Sequence, residues 1–263
     1  MLHITSSANP RYKQLLALQK SRERKHSGRC FIEGEKELEM ALAGGIVPEQ
    51  VFFSSKLVSQ QQVLDLLNSH NTELIELDHA LFEKLSYRES TGGLLAVAKP
   101  PAMSLEQLKL SENPLLLILE GVEKPGNLGA IIRTADAAAA DAVIICDPLT
   151  DIYNPNVIRS SLGTVFTKQV LSSTSDDTIR YLKAKGISIF CTYLESASFY
   201  QDTDFRGPTA IVMGTEATGL TNTWLDAADK NIKIPMLGKI DSMNVSVAAA
   251  IVTFEAKRQR GFS

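Results

Sequence analysis

A chain of 263 residues with 44% hydrophobic and 22% charged residues has the make-up of a globular protein and enough material for two ordinary domains. No apolar run approaches the roughly 18–20 residues of a membrane span, and the opening stretch, MLHITSSANPRYKQ, lacks the apolar core of a secretory signal. A net charge of −3 excludes a basic field over the whole molecule.

The three cysteines, Cys30, Cys146 and Cys191, are widely spaced, show no metal-binding pattern and read as reduced thiols. All four histidines lie in the first third. The C-terminal part therefore has no histidine for a Ser-His-Asp hydrolase or a His-ligated zinc. These features predict a cytoplasmic protein with no membrane segment and no metal.

Asn9-Pro10 opens a helical pattern in which Leu15, Leu16 and Leu18 lie among Lys and Arg, and residues 21–28 are polar. Up to Cys30 the basic residues Arg11, Lys13, Lys20, Arg22, Arg24, Lys25 and Arg29 face only Glu23. Such a local excess suits a polyanion met at one end, and equally a solvated helix face. Helices are expected over 35–43, 60–69 and 79–85, with strands over 51–53, 73–77 and 92–98. Gly44-Gly45 supplies a C-terminal stop to the first of these helices. The alternation predicts a small α/β/α domain over residues 1–100.

Lys99-Pro-Pro101 breaks the pattern, so residues 101–113 read as a linker and 114–263 as a second domain. There, strands are expected over 115–120, 142–146, 168–171, 187–193, 210–213 and 232–235. Helices are expected over 128–140, 154–162, 176–185, 220–227 and 245–259. This order implies βαβ units and a mostly parallel sheet. LLLILE at 115–120 is the continuous apolar run of a strand buried on both faces.

Ligands of open α/β sheets bind beyond the carboxyl ends of the strands, so the loops there carry the functional reading. After 115–120 comes EKPGNLGAIIRTAD, in which Asn127 can cap the helix or a neighbouring loop. Arg133 stands in an otherwise apolar helix and must be paired or face a cleft. A phosphate clamp and a salt bridge to Asp136 both fit that spacing. After 210–213 comes GTEATGL, in which Gly214 and Gly219 bracket Glu216; a carboxylate there also serves as a helix N-terminal dipole partner. The third loop, IPMLGKIDSMN, leads into the alanine- and valine-rich helix from Val245. None of the three is a dinucleotide fingerprint or a Walker A loop.

Together, NLGAIIRTADAAAADAVII, IVMGTEATGL and IKIPMLGKIDSMNVSVAAAIVTFE resemble, in order and spacing, motifs 1, 2 and 3 of the SpoU/TrmH family of the SPOUT superfamily. NPNVIRSSLGTVF resembles a further family segment. FIEGEKELEMAL before VFFS is similar to the L30e-like RNA substrate-binding domain that many members carry. The resemblance implies S-adenosylmethionine-dependent methylation of a ribose 2′-hydroxyl in RNA, ribosomal RNA before transfer RNA. It also implies an α/β fold with a deep trefoil knot and a homodimer with the active site at the interface.

By motif match, Asn127, Arg133, Glu216, Ser242 and Asn244 fall in the catalytic set. Gly214, Ile234, Met236, Met243 and Ser246 fall in the cofactor set. RNA contacts are expected from Lys13, Lys20, Arg22, Arg24, Lys25 and Arg29. Lys124 departs from the acid usual before the proline. Ala139-Ala140 stand where a bulky residue and glycine are common, and Met243 replaces leucine. A non-catalytic RNA-binding module and a nucleotide-dependent oxidoreductase are the competing readings. The retained polar residues weigh against the first, the missing fingerprint against the second.

Overall fold

The computed structural model describes residues 2–68, 70–86, 92–196 and 198–262. The chain divides into two compact units, Met1–Pro101 with Tyr153–Thr167, and Ala102–Ile152 with Lys168–Ser263.

The first unit runs β1 (Leu2–Ile4), α1 (Pro10–Ala17), α2 (Ser21–Ser27), β2 (Cys30–Glu33), α3 (Glu35–Ala43), β3 (Gln50–Phe53), α4 (Gln60–Leu67), β4 (Glu73–Leu77), α5 (His79–Leu85) and β5 (Leu94–Ala98). Its sheet has the order β1-β4-β3-β5-β2. β1 and β3 run parallel to β4, and β5 is antiparallel to β3 and β2.

The first thirty residues are more built than their polarity suggested. Leu2 pairs with Ile75 in the sheet, and the expected polar stretch after Lys20 is helix α2, closed by Gly28 in the left-handed conformation (φ 68°). Tyr12 and Leu15 from α1 and Leu18 at its C-cap sink into one apolar cluster with Phe31, Phe52 and Phe82. The Asn9 side chain caps α1 by accepting from the Arg11 amide at 2.9 Å, with Pro10 at the first helical position.

The second unit runs β6 (Leu115–Glu120), α6 (Pro125–Ala137), β7 (Ala142–Cys146), then, after an excursion through α7 (Pro155–Ser160), β8 (Gln169–Ser173), α8 (Ser175–Ala184), β9 (Ser188–Thr192), β10 (Thr209–Met213), α9 (Asn222–Ala227), β11 (Lys230–Ile232) and α10 (Val245–Gln259). The six strands have the order β11-β9-β10-β6-β7-β8 and every neighbouring pair is parallel. Every residue of β6 is buried, as its unbroken apolar run requires.

The excursion departs from the linear division expected at residue 101. Residues 153–167 pack with the first unit because Val157, Ile158, Val165 and Phe166 are apolar and meet β2 and α3. Arg159 donates to Glu33 at 3.3 Å within that packing.

Strand order places the site. The chain moves outward from β6 to β7 and β8, then crosses to β9 and inserts β10 beside β6. The carboxyl ends of β6 and β10 are therefore neighbours at the reversal of strand order, where open α/β sheets leave a crevice. Beneath it, α10 packs on α6 and β10. Its end is tied down by Arg260, which donates to the carbonyls of Asn113 at 2.8 Å and Phe205 at 2.9 Å.

Candidate active site

The loops beyond β9, β10 and β11 enclose a cavity of about 700 Å³. One wall is the loop after β10. Thr215 and Gly219 exchange backbone hydrogen bonds at 3.1 and 3.2 Å, folding the loop on itself. Gly214 is what allows this closure. A Cβ there would overlap the Gly219 carbonyl and lie 2.5 Å from the Leu220 nitrogen. Ile234, Met236, Met243, Ser242 and Asn244 line the cavity from the segment between β11 and α10. Residues 192–195, the end of β9 and the stretch after it, form the remaining wall.

Glu216 gathers the polar groups. Its Oε1 accepts from the Asn127 amide at 2.6 Å and from the Asn244 amide at 3.1 Å, while Oε2 takes the Lys124 ammonium. Asn244 also donates to Asn127 Oδ1 at 3.1 Å. Lys124 foremost, with help from Asn127 and the Val245 backbone amide, holds the Glu216 carboxyl below the usual carboxylate range. Three loops distant in sequence are thus joined through one carboxylate kept ionised.

Asn244 plays two parts. It is the N-cap of α10, and its Oδ1 accepts from the Ser246 amide at 3.0 Å and the Ser246 hydroxyl at 2.6 Å. Those bonds fix the amide so that its nitrogen faces Glu216 and Asn127.

Several site expectations are corrected by position. Asn127 does not cap a helix: α6 starts three residues earlier than expected, with Pro125 at its first turn, and Asn127 lies inside it. Glu216 is not at the start of the following helix, since α9 begins only at Asn222; its backbone partner is Val245, at the head of α10. Ser246 is not on the cavity wall, and its hydroxyl is spent on Asn244. Ser242 is exposed on the wall.

Arg133 is exposed, and among the described residues it makes no hydrogen bond or ion pair, so the pairing with Asp136 is absent. Six residues along a helix separate Arg133 from Asn127 by about 120° of rotation and about 9 Å of rise.

Of the basic residues, Lys13, Lys20, Arg22, Lys25 and Arg29 are exposed. Arg29 donates to Glu49 at 2.6 Å. Arg24 is the exception: it is 4% exposed and its guanidinium donates to the Leu18 carbonyl at 2.7 Å. A buried arginine holding its own domain's backbone cannot at once contact RNA, so Arg24 leaves that set.

The sequence reading missed Lys124 as a partner of Glu216 and overlooked the wall at 192–195. The strand-end rule, applied to β9 as it was to β6, β10 and β11, would have found the second. Cys146 and Cys191 are buried away from this chemistry, and burial pushes both thiols up to about 12. Among the described residues no group of three His, Cys, Asp or Glu side chains could hold a metal ion.

Residues 114–254 match the SpoU rRNA Methylase family, and residues 9–96 match the MRM3-like substrate binding domain. The chain belongs to the SpoU rRNA methylase family. Over 258 residues it is 31% identical to the 23S rRNA (guanosine(2553)-2′-O)-methyltransferase RlmP of Bacillus subtilis (strain 168), spanning 98% of this chain and 100% of that protein. Among solved structures, an RNA 2′-O ribose methyltransferase is 39% identical with a TM-score of 0.85, covering 98% of this chain and 99% of that one. AviRb from Streptomyces viridochromogenes, solved in complex with the cofactor AdoMet, is 28% identical with a TM-score of 0.89, covering 96% and 98%.

The cofactor of this SpoU family member is S-adenosylmethionine, and the cavity suits it. Ile234, Met236 and Met243 line the cavity with apolar surface, and the close-packed backbone at Gly214 leaves amides and carbonyls without intervening side chains.

Proposed function

We propose that the protein methylates a ribose 2′-hydroxyl in structured RNA, ribosomal RNA before transfer RNA, using S-adenosylmethionine. The observation that carries this is the Asn127–Glu216–Asn244 cluster at the mouth of the cavity. RNA rather than DNA follows from the chemistry, because only RNA offers a 2′-hydroxyl. The rank of ribosomal RNA is supported by the match of a substrate-binding domain ahead of the methylase and by the rRNA-modifying relative that spans the chain end to end.

S-adenosylmethionine, when bound, supplies a methyl group already activated on a sulfonium. The chain's own residues supply alignment, which in favourable intramolecular models is worth up to roughly 7–11 kcal/mol. Asn127, Glu216 and Asn244 hold the loops in register, and Ser242 offers a hydroxyl on the acceptor side. Arg133 clamps the neighbouring phosphate with its planar fork; a guanidinium is too basic to take the ribose proton directly, so that proton leaves through phosphate or water. Lys13, Lys20, Arg22, Lys25 and Arg29 supply RNA affinity.

The same reading makes the protein a homodimer. Val247 and Phe254 are exposed on α10 (50% and 40%), with Ile251 between them at helical spacing. A second copy would cover this apolar stripe, and Arg133, without a partner among the described residues of one chain, would complete the partner's site. The segment from β11 into α10 is then the threaded end of the trefoil knot. An RNA substrate and buried cysteines that form no disulfide among the described residues fit a cytoplasmic enzyme.

The test is methyl transfer from labelled S-adenosylmethionine to ribosomal and transfer RNA, with calorimetry of S-adenosylhomocysteine. Transfer to ribosomal RNA at a ribose 2′-position is expected. Absence of S-adenosylhomocysteine binding alongside binding of NAD would overturn the reading.

A further inference from the structure

The cavity carries three carboxylates on three walls, Glu195, Glu216 and Asp241. Glu216 already accepts from Lys124, Asn127 and Asn244 and has little capacity left. Asp241 adjoins Ser242 on the loop that leads to Asn244, the wall that the proposed function gives to the acceptor. Glu195 stands apart from both, on the wall beyond β9. Its Oε2 accepts from the Tyr193 hydroxyl at 2.8 Å. The hydrogen bond to Glu195 raises the Tyr193 pKa, so the phenol stays a donor.

A carboxylate fixed by a neighbouring hydroxyl, with acceptor capacity to spare and facing a cavity, matches a vicinal diol. Two adjacent hydroxyls donate to it, and charge-assisted hydrogen bonds of this kind are about twice as strong as neutral ones. Dinucleotide-binding folds use an acidic side chain on the ribose in the same way.

We propose that Glu195, held by Tyr193, is the ribose-diol subsite of the cofactor cavity. The inference rests on the reading of this cavity as the S-adenosylmethionine site. It divides the cavity: the β9 wall holds the nucleoside ribose, and the wall of Ser242 and Asn244 is left for the acceptor. Tyr193 is a positioning residue, acting only through Glu195.

The experiment is calorimetry of the full-length protein with S-adenosylhomocysteine and with its 2′-deoxyribose analogue. The unaltered protein should bind the analogue about 10–100-fold more weakly, the range of one charge-assisted hydrogen bond. Glu195→Ala should weaken S-adenosylhomocysteine to a similar degree and bring the ratio between the two ligands close to one. Tyr193→Phe should keep discrimination but bind both ligands a few-fold more weakly. Glu195→Gln, which keeps the loop's shape and one acceptor oxygen, should give an intermediate ratio. An unchanged ratio in Glu195→Ala, or no discrimination by the unaltered protein, overturns the subsite while leaving the cofactor reading intact. No binding of S-adenosylhomocysteine by the unaltered protein would overturn the cofactor reading itself.

Discussion

Asn127 donates its amide to Glu216 at 2.6 Å across 89 residues of sequence, and that bond joins the first turn of α6 to the loop after β10. Lys124, one helical turn earlier, grips the other oxygen of the same carboxylate. Lys124 lowers the Glu216 pKa, so the cluster is intact above that value and is lost as pH falls through it. Removing Lys124 should let the pKa climb back toward the ordinary glutamate value of about 4.3. In Lys124→Ala, the carbon NMR titration of the Glu216 carboxyl should therefore move to higher pH, and the acid limb of the methyl-transfer profile should follow. Lys124→Arg should restore both. An unmoved titration would mean that the ion pair does not act on Glu216.

Gly214→Ala tests the wall made by the loop after β10. The added Cβ would overlap the Gly219 carbonyl, which is backbone and has nowhere to turn. Overpacking of this kind costs about 1–3 kcal/mol. Calorimetry should show S-adenosylhomocysteine bound about 5–140-fold more weakly, because 1.4 kcal/mol is a factor of ten. Cofactor affinity equal to that of the unaltered protein would show that the loop opens freely and is not a fixed wall.

Most of the fold was legible because its signals were local. The strand at Leu115–Glu120 and the helices at Glu35–Ala43 and Val245–Gln259 lie where periodicity puts them. β1 escaped notice because three residues carry no period, and α2 because its face is almost wholly polar. The assignment of residues 153–167 to the first unit depends on tertiary packing, which no local pattern encodes. At the site, the resemblance to the SpoU/TrmH motifs brought Asn127, Glu216 and Asn244 together in advance. It could not reveal that Arg24 is buried, since an arginine on an amphipathic surface and one aimed at a carbonyl read alike.

Arg24 and its neighbours should therefore separate cleanly. Arg24→Ala removes a charged donor from the buried Leu18 carbonyl and should cost about 1.5–3 kcal/mol in denaturant unfolding. Its effect on the salt dependence of RNA binding should be negligible. Neutralising Lys20, Arg22 and Lys25 together should leave stability nearly unchanged. It should weaken RNA binding and flatten the salt slope by up to about 0.9 per lost phosphate contact on duplex nucleic acid. If the triple variant binds RNA with the original slope, α2 is a solvated face.

Ala139 carries an independent prediction about stability. It holds a left-handed conformation (φ 47°) at the end of α6, where Ala140 donates to the Ala135 carbonyl at 2.8 Å. This is the helix-ending motif that favours glycine, and a side chain there costs about 1–2 kcal/mol. Ala139→Gly should raise stability by about 1 kcal/mol, after glycine's own entropic cost is counted. An unchanged or lower unfolding midpoint would show that the strain is relieved elsewhere.

Arg133 poses the sharpest question, because it shares a helix with Asn127 yet lies about 120° around it. Within one chain the Asn127–Glu216–Asn244 cluster is complete, and Arg133 has no partner among the described residues. If a second copy supplies Arg133, Arg133→Ala and Glu216→Gln are each inactive as homodimers while retaining cofactor binding. Mixed by denaturation and refolding, half the molecules become heterodimers. In each, one site has both lesions and the other has none. Activity should recover to about one quarter of the unaltered level. If Arg133 acted in its own chain, every site would carry one lesion and mixing would recover nothing. The measurement thus decides both the dimer and the direction from which the phosphate clamp reaches the RNA.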